Sequence, residues 1–98
     1  MALRDEYDFE YLVNEAEHLV LDELDRQLDQ PENADVCRSQ DCVLDMAAFA
    51  LNNVPPLYRA TLLGRIYASE LDQKHHDQIV DAVARAIDRV RENPPSTV

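Results

Sequence analysis

Two arginines and two tyrosines stand in the stretch from Ala50 to Ser69, "ALNNVPPLYRATLLGRIYAS", which holds no Asp and no Glu. The chain as a whole has 20 acidic and nine basic residues and a net charge of −11, so an acid-free run carries information. The residue types suit a planar, anionic ligand. Guanidinium forks match phosphate oxygens and guanine edges, while tyrosine rings stack on bases and their hydroxyls bond phosphate. Burial offers the other reading, because core segments hold few charges of any sign. It accounts for "ALNNVPP" better than for "LYRATLLGRIY", where Tyr58, Arg59, Arg65 and Tyr67 cluster. Pro55 and Pro56 would stiffen the turn that presents them and so lower the entropy lost on binding.

The second candidate centre is Cys37 and Cys42 in "CRSQDC", with His18, His75 and His76 elsewhere. A structural zinc site usually takes four soft ligands, which two cysteines cannot supply. Neighbouring residues on a helix point about 100° apart, so His75 and His76 would not normally share one ion. Two reduced thiols beside a helix start are expected, since disulfides rarely persist in the cytoplasm. A thiol at a helix N-terminus has a lowered pKa, which leaves redox sensitivity at Cys42 open. There is no Gly-rich phosphate loop, HExxH or GxSxG. The many carboxylates are spaced as solvated helix faces, and no enzyme is expected.

The elements that must position these residues read as helical. One glycine in 98 residues and 46% hydrophobic content point to an all-α, single domain over 1–98, with 1–7 and 93–98 as frayed tails. The spacing predicts a long helix over 8–30, capped by Asp8 and stopped at Pro31, with Phe9, Leu12, Val13, Ala16, Leu19, Val20, Leu24 and Leu28 on its apolar face. A loop follows over 30–40. A shorter central helix is predicted over 41–53, capped by Asp41 and ended by Pro55 and Pro56, with Val43, Met46, Ala47, Ala50, Leu51 and Val54 buried. Residues 57–68 read as a linker with a short helix or strand. The last long helix is predicted over 69–93, capped by Ser69, with Leu71, Ile79, Ala82, Val83, Ala86, Ile87 and Val90 inward. The expected architecture is therefore two long outer helices around a shorter central one. A domain this small buries little surface, and a homodimer interface would help it.

Charge is distributed unevenly over these elements. Residues 1–35 contain 12 acids and two bases, whereas 46–69 contain no acid and two arginines. Such acidity argues against binding to DNA and to anionic membrane surfaces. No run of 18 apolar residues occurs, and "MALRDEYDFE" has no apolar signal-peptide region, so a cytoplasmic protein is expected.

The central residues "CRSQDCVLDMAAFALNNVPPLYRAT" resemble the late competence protein ComFB family of bacteria. The set is specific as a whole: a second Cys with Asp45 three residues on, then Ala-Leu-Asn, then Pro-Pro-x-Tyr. The likeness extends over roughly 10–92. It implies an all-helical, dimeric, cytoplasmic protein without enzymatic activity, linked to competence, motility and cell-size control. It further implies a receptor for cyclic dinucleotides, chiefly cyclic di-GMP, acting on an unknown downstream protein. Family members often hold zinc through Cys-x-Cys-x-x-Cys and a further Cys. Here Cys37 and Cys42 match the outer positions and Ser39 takes the middle one, so no zinc is expected; hydrogen bonds from Ser39 and Asp45 would stand in for it. Taken with the residue chemistry, the likeness assigns phosphates or guanine edges to Arg59 and Arg65, and stacking or phosphate bonds to Tyr58 and Tyr67. Arg38 and Asn52 are secondary candidates, and Asp45 is a guanine-edge acceptor. Structural roles stay open for each: Tyr58 in the core, Asn52 as a left-handed C-cap, Asp45 paired with Arg38 or Arg65.

Overall fold

The computed structural model describes the backbone of residues 2–60 and 62–95, and the side chains of 2–60 and 75–95. In chain order it has a helical turn α1 (Leu3–Glu6), a 3-10 turn (Phe9–Tyr11), strand β1 (Val13–Asn14) and helix α2 (Glu15–Leu28). A second 3-10 turn (Pro31–Asn33), helix α3 (Gln40–Leu51), strand β2 (Tyr58–Arg59) and helix α4 (Leu62–Glu92) follow. The fold is mostly helical, as expected, but it also contains a two-stranded antiparallel sheet that the all-α reading did not include.

The sheet corrects the predicted first helix. Asp8 does cap, accepting the Glu10 N–H at 2.9 Å, but only a single 3-10 turn. Leu12 then adopts an extended conformation, Val13 pairs with Arg59 and Asn14 with Tyr58, and α2 begins at Glu15. Phe9 and Leu12, predicted as core, are about half exposed, at 47% and 50%. Helical periodicity does run back through them, but the long-range pairing of 13–14 with 58–59 overrides it. Local pattern cannot register such a pairing.

From Glu15 onward the predicted stripe holds, with Ala16, Val20, Leu24 and Leu28 buried. In α3 the N-cap is Ser39 rather than Asp41, its Oγ accepting the Cys42 N–H at 3.2 Å. The buried face is Cys42, Met46, Ala47 and Ala50, with Val43 only half-buried. Asn52 ends the helix in the right-handed region (φ −76°, ψ −8°), so the left-handed cap is not used.

α4 runs for 31 residues, about 46 Å at 1.5 Å per residue. It absorbs most of the predicted linker and continues through Ser69, which therefore does not start a helix. Without a proline between 57 and 93, nothing stops the helix once β2 has ended. Of its predicted inward face, Ile79, Ala82, Val83, Ala86, Ile87 and Val90 are buried as expected, against α2 and α3, and the Leu71 side chain lies outside the described residues. The alanines at 47 and 50 in α3 and at 82 and 86 in α4 let the two backbones approach closely. The radius of gyration is 15.7 Å, against about 13 Å for a compact chain of this size, an excess that suits one long helix packed by two short ones. Among the described residues no helix is long and apolar enough to cross a membrane.

Candidate functional site

The segment that ends in Tyr58 and Arg59 is fastened to the start of α2 by one asparagine. Asn14 Oδ1 accepts the Ala16 N–H at 3.1 Å, which caps α2, and also the Leu57 N–H at 2.8 Å. The Glu15 N–H donates back to the Leu57 carbonyl at 2.8 Å. The exposed Pro55 and Pro56 have no N–H to satisfy, so they can cross the surface without partners, while Leu57 turns into the core. Successive residues of a strand face opposite ways. Tyr58 accordingly points outward, 64% exposed, and Arg59 inward.

Arg59 meets Glu15. Its Nε donates to Glu15 Oε1 at 2.6 Å, and its Nη2 donates to the same oxygen. The two side chains retain only 13% and 18% exposure. Glu15 stands in the first turn of α2, where a negative charge is also favoured by the helix dipole. The acid missing from residues 46–69 is thus supplied from 44 residues upstream. Beside this pair lies a groove of about 390 Å³ lined by Leu12, Val13, Asn14, Glu17, His18, Leu21 and Tyr58. Leu12 and Leu21 are about half exposed in it, so the groove mixes apolar surface with the polar groups of Asn14, Glu17, His18 and Tyr58.

The other predicted residues are spread out. Arg38 sits at the far end of α2, donating to the Leu28 carbonyl and, at 3.4 Å, to the Asn33 carbonyl. There its charge complements the helix C-terminus. It is separated from Arg59 by the length of α2, about 21 Å. Asp45 and Asn52 lie on the exposed face of α3, seven residues or two turns apart. Arg65 and Tyr67 fall within the first turns of α4, and their side chains lie outside the described residues.

Asn14 and Glu15 were not among the sequence candidates, and His18 was one only as a metal ligand. A signal for the first two existed: Asn14 followed three residues later by Glu17 is a helix-start pattern, and asparagine is a poor interior helix residue.

A second polar knot fixes α2 on α4. Arg26 Nε and Nη2 donate to the Glu23 carboxylate at 2.6 to 3.2 Å, and Gln27 Nε2 donates both to Glu23 Oε2 at 2.7 Å and to the Val80 carbonyl at 3.0 Å. Glu23 and Gln27 are buried. The Arg26 hydrogen bonds hold the Glu23 carboxyl below its ordinary range, against burial that pushes it up; Gln27 and the charges of Arg26 and His76 add to the lowering.

The cysteines are not the two reduced thiols expected. Cys37 and Cys42 form a disulfide, with Cα atoms 6.0 Å apart. Cys42 is fully buried in the core and Cys37 is exposed. The six-residue ring turns the chain sharply into α3, so the cross-link follows from local geometry that composition does not reveal. Ser39, inside the ring, caps α3 and lies 3.3 Å from Cys37 Sγ. Zinc needs thiolates. With both sulfurs bonded to each other and no third cysteine in the sequence, this donor set does not fit zinc.

Comparison with known proteins bears on this geometry. Residues 13–94 match the family model described as late competence development protein ComFB. The match begins at the first residue of β1. The solved structure of the late competence protein ComFB from Bacillus subtilis is similar at 29% identity and a TM-score of 0.67, covering 87% of this chain and 96% of that one. No curated protein matches.

Proposed function

The chain belongs to the late competence development protein ComFB family, and from that membership we propose that it is a non-enzymatic cytoplasmic receptor for cyclic di-GMP that works as a homodimer, without zinc, through a partner protein. The observation that carries the reading is Tyr58. A tyrosine 64% exposed at the edge of a groove is a stacking platform for a base, and Arg59 is its strand neighbour. The Asn14 clip holds this platform rigidly, which limits the entropy lost on binding. α4 starts three residues after β2 and packs against it, so its first turns, in which Arg65 and Tyr67 fall, belong to the same end of the molecule. Asn52, at the end of α3 that leads into β2, is the site's secondary member. Arg38 and Asp45 act elsewhere, Arg38 as the cap of α2.

Calorimetric titration with cyclic di-GMP and cyclic di-AMP side by side tests the proposal. Binding in the micromolar range is expected for cyclic di-GMP, weakened tenfold or more by Tyr58→Ala, since base stacking contributes about 1–3 kcal/mol. Absence of heat for either ligand at high micromolar concentration refutes it.

A second reading is favoured by the segment before the matched region. Leu3, Tyr7, Phe9, Tyr11 and Leu12 are all 47–71% exposed there, among Asp5, Glu6, Asp8 and Glu10. An acidic, aromatic surface of this kind docks a basic protein partner. Salt-sensitive capture of one partner, unchanged by cyclic dinucleotide, would favour this module over the receptor.

A further inference from the structure

The disulfide joins two sulfurs in opposite environments. Cys37 Sγ is at the surface, while Cys42 is fully buried and is the third residue of α3 after its Ser39 cap. The residue enclosed next to Cys37 is Arg38, whose guanidinium holds the Leu28 carbonyl at the end of α2. The loop between the helices is otherwise tied by polar contacts and by one buried apolar side chain. Asn33 Nδ2 donates to the Gln27 carbonyl at 2.8 Å, and Arg91 Nη2 donates to Asn33 Oδ1 at 2.6 Å. Val36 is its one fully buried apolar side chain.

We propose that the Cys37–Cys42 bond is a thiol–disulfide exchange site whose co-reactant is a dithiol, and that its redox state sets how firmly the 29–39 loop grips α2. The chemistry has a defined direction. A thiolate of the dithiol attacks Cys37 Sγ, the accessible sulfur, and the Cys37–Cys42 bond breaks. The electron pair leaves on Cys42, whose thiolate forms at the N-terminus of α3 and is stabilised there before it takes a proton from water. The second thiol of the dithiol then attacks the mixed disulfide and releases Cys37 as a thiol. Two electrons and two protons pass to the protein, and the dithiol leaves as a disulfide. The reverse reaction needs an oxidised dithiol or glutathione disulfide. Opening the ring frees Cys37 and Arg38 from α3, so the loop keeps only its polar ties and Val36. This role is independent of the nucleotide reading, since the ring lies at the opposite end of α2 from Tyr58 and Arg59.

The test uses the full chain, folded, in glutathione redox buffers and in dithiothreitol. Expected are no titratable thiols after oxidised glutathione, two per chain after dithiothreitol without denaturant, and recovery of the first state on reoxidation. Reduction should lower the melting temperature by roughly 10 °C for a six-residue ring in a chain of this size. It should also speed amide exchange at Ala34 and Val36 and leave α4 unchanged. Cys37→Ser should melt like the reduced protein and ignore dithiothreitol; this variant spares the buried Cys42. Two free thiols after oxidised glutathione overturn the proposal. So does a bond that reduces only once the protein is unfolded, or a reduced form with the same melting temperature and loop exchange as the oxidised one.

Discussion

Replacing Asn14 by alanine should be the most damaging single change to the proposed site that touches neither Tyr58 nor Arg59. The side chain has two jobs through one oxygen. It caps α2 by accepting the Ala16 N–H, and it accepts the Leu57 N–H from the segment after the prolines. Losing a cap costs about 1 kcal/mol. Leu57 is 6% exposed, so its N–H would be left without water or partner, at about 1–3 kcal/mol. The expected loss is therefore about 2–4 kcal/mol, or roughly 10–25 °C in melting temperature for a domain of this size. Thermal and urea melts followed by circular dichroism measure it. Asn14→Asp is the matched control: it keeps the acceptor oxygen, adds a charge favoured at a helix N-terminus, and should stay within about 1 kcal/mol of the parent. If Asn14→Ala loses less than about 0.5 kcal/mol, or if Asn14→Asp is as unstable as Asn14→Ala, the clip does not anchor β2 and the reasoning fails.

Three further outcomes are expected. Glu23 has a folded pKa below its unfolded one, so its ionised form adds stability that is complete at neutral pH and disappears as pH falls through the lowered value; the stability gap between the parent and Glu23→Gln should narrow below about pH 4–5 in acid titrations of the melt. Met46→Ala, at a fully buried position between α3 and the rest of the core, should cost about 3 kcal/mol in a urea melt. Glu15→Gln should strengthen cyclic di-GMP binding about tenfold by calorimetry if Arg59 takes a phosphate, and an unchanged or weaker affinity would remove Arg59 from the ligand.

How far the sequence carries depends on how far apart the interacting residues are. The buried stripes of α2 and of the last part of α4 were legible because helical burial repeats every three to four residues and needs no knowledge of partners. The start of α2 was misplaced because its cap is chosen jointly by Asn14 and by Leu57, 43 residues later. The strand at Tyr58–Arg59 cannot be told from a short helix for the same reason: two residues make no pattern until their partner at 13–14 is known. In the candidate site the residue types single out Tyr58 for stacking while leaving a core role open, and they make Arg38 a secondary candidate for the same ligand. The structure places Arg38 at the opposite end of α2, on a carbonyl that only a folded helix end presents. The expected compartment argues against a disulfide, although the spacing of Cys37 and Cys42 permits a ring that turns the chain into α3.

The acid-free run from Met46 to Ser69 therefore has a different meaning from the one its composition suggests. Arg59 does not give this stretch a bare positive charge, because Glu15 neutralises it in a pair only 13% and 18% exposed. If the proposed ligand stacks on Tyr58, a phosphate that reaches inward to Arg59 would find the Glu15 carboxylate already on its Nε and Nη2 edge. At about 6 Å and an effective dielectric near 40, that carboxylate opposes a phosphate by about 1.4 kcal/mol, which is the origin of the tenfold figure for Glu15→Gln. Removing Arg59 is a different perturbation. It leaves Glu15 mostly buried without a counter-ion, so Arg59→Ala lowers stability and affinity together and cannot by itself identify a ligand contact. Tyr58 has no such second role among the described contacts: it is exposed and its loss leaves no buried group unpaired. The ligand reading thus stands or falls on Tyr58→Ala and Glu15→Gln, which move affinity in opposite directions from the two sides of one strand.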